Sequence, residues 1–266
     1  MNKAVTVLDC MAMKGEKRIV MVTSYDFTMT RIIDSSDVDI ILVGDSAGVV
    51  MAGGENTLGI TMDQMIYHTG CVSRAQPSAL VVGDMPFMSY QVSASQAVEN
   101  AGRFFKEAGA QAVKLEGGKR VEEQVRAIVR ADMPVMGHLG LTPQSVHAFG
   151  GFKVQGRGEQ AAALLRENAL VLQDAGVFAL VLECVPEDVA FDVSRALDIP
   201  TIGIGAGRYC DGQVLVIQDL LGMFKEFKPK FVKKYADLFD SIRMALDTYS
   251  SEVRDGSFPD EEHLFK

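Results

Sequence analysis

The sequence predicts an α/β protein in which eight parallel strands close into a single-domain (β/α)8 TIM barrel. Eight short runs rich in Val, Ile and Leu recur along the chain, and helical patterns separate most of them. Such runs are typical of strands buried on both faces, and strands that alternate with helices favour a parallel sheet. The length of 266 residues suits one barrel. An open doubly wound sheet is the second fold compatible with this alternation.

The predicted strands share an apolar interior and a polar or glycine-rich end. They cover residues 18–26, 40–46, 79–86, 112–118, 134–140, 179–185, 200–207 and 213–219. The main helices between them are predicted over 61–74, 93–109, 119–132 and 158–176. We expect one domain over residues 1–266, with an extra helix at about 4–14 and a long closing helix at about 229–253.

Composition narrows the class of partner. The net charge is −9, which disfavours nucleic acids and anionic membrane surfaces. The four cysteines include no C-x-x-C pair, so neither a zinc site nor a redox motif is indicated. We find no secretory signal pattern and no apolar run of about 18 residues, the length needed to cross a membrane. These observations predict a cytoplasmic protein that acts on small molecules.

Polar side chains follow the predicted strands at their carboxyl ends, where barrel enzymes carry their chemistry. They are Asp26, Asp45, Ser46, Asp84, Lys114, Glu116, His138 and Glu183. Converging carboxylates repel one another, and a divalent cation relieves that repulsion. We therefore predict Mg²⁺ bound by Asp45 and Asp84. Glu116 would be a third ligand or would orient a metal-bound water.

Several of these residues also have a purely structural interpretation. Asp26 fits the N-cap of the following helix. Lys114 would either neutralise a substrate carboxylate or pair with Glu116, because both side chains leave the strand on the same face. Ser46 would cap a helix or donate to the same anion.

Glu183 has three candidate roles, as a metal ligand, an ion-pair partner or a general base. Its apolar neighbours would partly desolvate it, which favours the base. His138 is a second candidate for lining the site. The glycine-rich segment 150–158 is predicted to be either a connector or a lid.

The motifs at these positions resemble the ketopantoate hydroxymethyltransferase family over nearly the whole chain. The resemblance is carried by TSYD, ILVGDS, YHT, GDMPFMSY, VKLEGG, GHLGLTPQS, FGGFKVQGRG, LVLECVP, IGIGAG and PDEEHLF. It implies a barrel with one Mg²⁺ per subunit and 5,10-methylenetetrahydrofolate as co-substrate. It also implies a homo-oligomer, commonly a homodecamer.

The resemblance assigns roles to the same residues. It implies metal ligands at Asp45, Asp84 and Glu116, and a proton acceptor at Glu183. Substrate contacts are implied at Asp45, Ser46, Asp84 and Lys114. Four positions after the second strand depart from the family pattern, and they are Ala47, Val49, Gly54 and Gly59.

The implied reaction transfers a hydroxymethyl group from the folate to 3-methyl-2-oxobutanoate through a Mg-stabilised enolate. Ketopantoate and tetrahydrofolate would result, in the biosynthesis of pantothenate and coenzyme A. One rival is a Mg-dependent α-keto-acid lyase or mutase of the phosphoenolpyruvate mutase/isocitrate lyase type, whose K-x-C-G-H loop is absent from the sequence. Another is a non-catalytic ligand-binding barrel, which the complete set of polar strand-end residues disfavours.

Overall fold

A computed structural model describes residues 4–225 and 229–265. Within these residues, eight parallel strands form a closed barrel in sequence order, which confirms the predicted fold class. The strands are β1 Ile19–Thr23, β2 Ile40–Val43, β3 Leu80–Asp84, β4 Ala112–Glu116, β5 Val135–Gly140, β6 Ala179–Glu183, β7 Thr201–Ile204 and β8 Gly212–Leu215. Because β1 pairs with both β2 and β8, the barrel has no free edge and the open doubly wound sheet is excluded.

Helices connect most of the strands. In the described residues they are α1 Val7–Ala12, α2 Phe27–Ile33, α3 Ala47–Val50, α4 Met62–Arg74, α5 Ala94–Lys106, α6 Glu122–Arg130, α7 Val146–Phe149, α8 Glu159–Ala175, α9 Glu187–Ala196, α10 Ile217–Leu220 and α11 Leu238–Asp255. Short 3₁₀ turns occupy Thr57–Gly59, Lys119–Val121, Pro143–Ser145 and Glu261–His263. The four main predicted helices therefore correspond to α4, α5, α6 and α8.

The barrel interior is filled by apolar side chains from the strands. Inward residues such as Met21, Ile40 and Val82 form one buried cluster. Helix α1 contributes Cys10 to the same cluster, and the backbone N–H of Val5, just before this helix, donates to the carbonyl of Ser78. Because Ser78 precedes β3, α1 lies at the amino end of the barrel. The opposite, carboxyl end is left for polar side chains.

The chain forms two compact units, residues 1–216 and residues 217–266. The first contains the barrel with α1–α9, and the second contains α10 and α11. The assignment of residues 1–266 to one domain stays a prediction. None of the described helices has the length and apolar content needed to cross a membrane.

Helix α11 begins later than the closing helix predicted at about 229–253. The backbone N–H groups just before and at its start donate outside the helix. Tyr235 donates to the carbonyl of Leu220 at 2.8 Å, and Leu238 donates to that of Leu221 at 3.0 Å. These bonds anchor the segment to the end of α10, and the helix begins only at Leu238.

Candidate active site at the carboxyl end of the barrel

The closed barrel brings the predicted strand-end residues together. Asp84 ends β3, Lys114 and Glu116 lie on β4, and Asp45 follows β2. Asp84 is in register with Lys114, and Glu116 with His138 of β5. These five side chains are all buried, with residue exposures of 1–4%. The result is a charged cluster inside an otherwise apolar barrel.

Lys114 forms the central ion pair of this cluster. Its Nζ lies 2.7 Å from both carboxylate oxygens of Asp84 and 3.9 Å from Oε1 of Glu116. Burial lowers the pKa of Lys114, but Asp84 and the other nearby acids raise it more, so the net shift is upward. Lys114 is therefore held as a cation, and its main partner is Asp84 rather than Glu116.

Asp45 and Asp84 lie close together despite their like charge. The backbone N–H of Asp45 donates to Oδ2 of Asp84 at 3.2 Å. Burial raises the pKa of Asp45 well above its ordinary value, and the charges of Asp84 and Glu116 raise it further. Burial also raises the pKa of Asp84, although Lys114 opposes the shift. Lys114 therefore does not fully offset the cost of burying both carboxylates as anions.

Gln144 joins two of the acids, and sequence reasoning missed it. Its Nε2 donates to Oδ2 of Asp45 at 3.0 Å, and its backbone N–H donates to Oε2 of Glu116 at 3.0 Å. The buried phenol of Tyr90 donates to Oε1 of Gln144 at 2.7 Å. Both residues lie within quoted motifs, GHLGLTPQS and GDMPFMSY. Neither carries a charge, so neither supplied the signal that identified the acids.

His138 bridges Glu116 and Glu183. Its Nδ1 lies 3.4 Å from Oε1 of Glu116, and its Nε2 lies 3.3 Å from Oε2 of Glu183. Burial and the charge of Lys114 lower the pKa of His138, but the two carboxylates outweigh them and raise it to about 9. His138 therefore connects the buried cluster to β6 as an imidazolium, a larger role than the sequence suggested.

Glu183 is the most accessible acid of this network, with 15% of its side chain exposed. Its position depends on a close approach between β5 and β6. Gly140 has φ of +92°, and a Cβ there would lie 2.2 Å from the carbonyl oxygen of Glu183. That carbonyl instead accepts from the backbone N–H of Leu141 at 2.8 Å. A side chain at position 140 would therefore displace the strand end that carries Glu183.

The remaining strand-end residues separate into structural and candidate functional groups. Oδ1 of Asp26 accepts from the backbone N–H of Met29 at 2.8 Å, so Asp26 is the N-cap of α2 as expected. Ser46 precedes α3 but makes no capping hydrogen bond with its side chain. Its Oγ lies 2.9 Å from the hydroxyl of Tyr25. The capping alternative for Ser46 is therefore not supported.

The acids fit a cation held by two carboxylates. Among residues 4–225 and 229–265, no group of three His, Cys, Asp or Glu side chains is arranged to hold a metal ion. Asp45 and Asp84 nevertheless supply oxygen donors, with raised pKa values that a nearby cation would lower. Mg²⁺ usually takes one or two protein carboxylates and keeps other positions for water and substrate. Glu116 as a third ligand stays a prediction.

Comparison with known families decides where the chain belongs. The model of the ketopantoate hydroxymethyltransferase family matches residues 4–261. The chain belongs to this family. It is 57% identical to a 3-methyl-2-oxobutanoate hydroxymethyltransferase of Clostridium botulinum (strain Loch Maree / Type A3), covering 100% of this chain and 96% of that protein. It is 56% identical to the protein of the same name from Geobacter sulfurreducens, with full coverage of both.

Solved structures of other enzymes share the fold of this ketopantoate hydroxymethyltransferase family member. A 2,3-dimethylmalate lyase of the phosphoenolpyruvate mutase/isocitrate lyase superfamily aligns with a TM-score of 0.62 at 17% identity, over 99% of this chain and 93% of that one. Phosphonopyruvate hydrolase in complex with oxalate and Mg²⁺ aligns with a TM-score of 0.63 at 10% identity, over 98% and 92%. At these identities the likeness concerns the fold alone.

Proposed function

We propose that the chain transfers a hydroxymethyl group from 5,10-methylenetetrahydrofolate to 3-methyl-2-oxobutanoate, giving ketopantoate and tetrahydrofolate. The observation that carries the proposal is the buried cluster of Asp45, Asp84, Lys114 and Glu116, which His138 connects to the more exposed Glu183. The buried carboxylates suit a cation, and the ammonium group of Lys114 suits an anionic substrate. Family membership supports the same reaction and its place in pantothenate biosynthesis.

The cofactor in this proposal is one Mg²⁺ per subunit, held by Asp45 and Asp84 with Glu116 as the third ligand. When bound, the cation would supply Lewis-acid stabilisation of negative charge that develops on the keto acid. Calorimetry tests this part. Asp45→Asn and Asp84→Asn should each abolish Mg²⁺-dependent binding of 3-methyl-2-oxobutanoate, and unchanged affinity in both variants would refute the site.

Lys114 and the residues around it bind and orient the keto acid in this proposal. Its ammonium group, fixed against Asp84, offers a positive charge to the substrate carboxylate. Ser46 offers a hydroxyl beside Tyr25, and Asp45 and Asp84 complete the contacts. The buried setting excludes water and strengthens these interactions.

Proton removal belongs to Glu183. We propose that its carboxylate takes the C3 proton of the keto acid, since it is the acid of the network with the most exposed side chain. Nε2 of His138 lies 3.3 Å from Oε2 of Glu183 and would orient the carboxylate. C3 then bonds to the one-carbon unit of the folate, the bond from that carbon to the folate nitrogen breaks to release tetrahydrofolate, and water supplies the hydroxyl group. Bound geometry sets the rate at which C3 and the one-carbon unit meet.

A turnover assay tests the reaction as a whole. Purified protein, 3-methyl-2-oxobutanoate, methylenetetrahydrofolate and Mg²⁺ should yield ketopantoate by mass spectrometry, and chelation with EDTA should stop the reaction. Cleavage of an α-keto acid without folate would favour the lyase or mutase rival instead. Substrate binding without turnover under any divalent cation would favour a non-catalytic barrel.

Assembly and location follow from the resemblance and stay predictions. We propose a homo-oligomer, a homodecamer by family resemblance, in the cytoplasm. Light scattering after size-exclusion chromatography measures the mass of the assembly. A monomer at micromolar concentration would contradict the proposed assembly.

A further inference from the structure

Two neighbouring cavities open beside the cluster, and the mechanism above uses only the residues at their edge. One, of about 220 Å³, is lined by Glu116 together with Tyr90 and Phe87. The other, of about 380 Å³, runs between the loop after β4 and helix α8. We call this second cavity the α8 cleft. Arg120 lines both, so the two cavities are adjacent.

The α8 cleft combines apolar walls with a cationic edge. Leu139, Phe149 and Leu164 line it, and Leu164 is 58% exposed although it is a large apolar residue. Lys119 and Arg120 contribute the positive charge. Apolar walls beside a positive edge match an aromatic ring that carries a carboxylate.

A buried hydroxyl in the cleft lacks a partner. Thr142 lines the cleft, is only 3% exposed, and its Oγ1 makes no hydrogen bond in the described part of the chain. Buried hydroxyls are normally paired, because an unpaired one loses its hydration without compensation. The unpaired Oγ1 therefore indicates a position where a polar group of a ligand is expected.

The loop that carries the two cations is fixed in place. The backbone N–H of Lys119 donates to Oδ1 of Asn168 on α8 at 2.8 Å, and Nη2 of Arg120 lies 2.8 Å from Oγ of Ser145. Gly118 permits this approach, because a Cβ there would lie 2.2 Å from Oδ1 of Asn168. Nζ of Lys119 lies 4.0 Å from Oε1 of Glu167, and both side chains are largely exposed, so solvent screens the pair.

We propose that the α8 cleft binds the p-aminobenzoylglutamate tail of the folate co-substrate. This assignment rests on the proposed function. The apolar walls would cover the aromatic ring, Thr142 would bond the amide, and Lys119 with Arg120 would face the glutamate carboxylates. Gly117 and Gly140 line the cleft; Gly117 follows Glu116 in the chain, and Gly140 is in register with Glu183. The reactive end of the folate therefore reaches the keto acid while its tail stays in the cleft.

Substitutions at two residues that line the α8 cleft but not the neighbouring cavity test the assignment. Lys119→Gln should raise the KM for methylenetetrahydrofolate about two- to fivefold, because an exposed charge contact is lost. Leu164→Trp should raise the KM for methylenetetrahydrofolate more than about tenfold, because the larger side chain fills the cleft. Leu164 lies on an exposed helix surface. Both should leave the KM for 3-methyl-2-oxobutanoate unchanged. Arg166→Gln is the matched control, since it removes a positive charge from α8 without lining the cleft.

A folate-independent readout separates this proposal from the proposed function. The parent should exchange the C3 proton of 3-methyl-2-oxobutanoate with deuterated solvent when Mg²⁺ is present and folate is absent. If the parent neither exchanges this proton nor turns over, the proposed function is wrong. If the parent turns over but both variants keep the parent KM for folate, the cleft assignment is wrong. Thermal unfolding of each variant excludes loss of fold, and p-aminobenzoylglutamate alone should inhibit competitively against folate.

Discussion

Replacing His138 with Gln tests whether the imidazolium holds Glu116 and Glu183 together. His138 is 3% exposed and lies 3.3–3.4 Å from one oxygen of each carboxylate. The glutamine keeps much of the size and polarity but cannot carry charge. The substitution therefore removes the positive charge that stabilises two buried or partly buried acids.

The magnitude follows from the pKa shift. The pKa of His138 rises from 6.5 to about 9 in the folded chain. This rise corresponds to about 3 kcal/mol of folding free energy. Because the folded pKa is raised, this stabilisation is fully present below pH 6.5 and is lost as the pH rises through about 9. The parent should therefore lose this contribution between pH 6 and pH 10, and His138→Gln should not.

Urea unfolding at pH 6 and at pH 10 measures this pH-dependent contribution to stability, with EDTA present to remove divalent cations. The stability difference between parent and His138→Gln should shrink by about 3 kcal/mol from pH 6 to pH 10. Taking the difference cancels other groups that titrate in this range. His147→Gln, at an exposed histidine, is the control. An equal difference at both pH values would refute the imidazolium bridge.

Two further substitutions probe the rest of the cluster. Lys114→Met should raise the KM for 3-methyl-2-oxobutanoate about tenfold or more, because a charge-assisted contact is worth roughly 1.5–3 kcal/mol. The KM for folate should stay unchanged. An equal rise of KM for both substrates would indicate a purely structural ion pair. Gln144→Met should lower the free energy of unfolding by about 2 kcal/mol, since it removes the hydrogen bond to the buried carboxylate of Asp45 and one of the hydrogen bonds of the buried Tyr90 hydroxyl. Denaturant unfolding measures this effect, and a change below about 0.5 kcal/mol would contradict the network.

The sequence predicted the barrel because each strand is buried on both faces and therefore reads as an apolar run. It also predicted which acids would meet, because parallel strands all end at one rim. Helix α11 was placed too early because its amphipathic pattern extends upstream, into residues whose backbone groups bond to α10 instead. The sequence did not predict the hydrogen bonds of Gln144 or the bridging role of His138. Both depend on how side chains from distant segments meet, which the charges and spacing of residues do not encode.

Exchange of the C3 proton tests the central claim most directly, because it isolates the step assigned to Glu183. Parent and Glu183→Gln would each be incubated with Mg²⁺ and 3-methyl-2-oxobutanoate in deuterated water, without folate, and followed by NMR. Calorimetry would establish that both bind the keto acid. The parent should exchange the proton, and the variant should do so about 10²–10⁴-fold more slowly, the usual cost of removing a general base. Exchange by the variant at the parent rate would show that Glu183 is not the base.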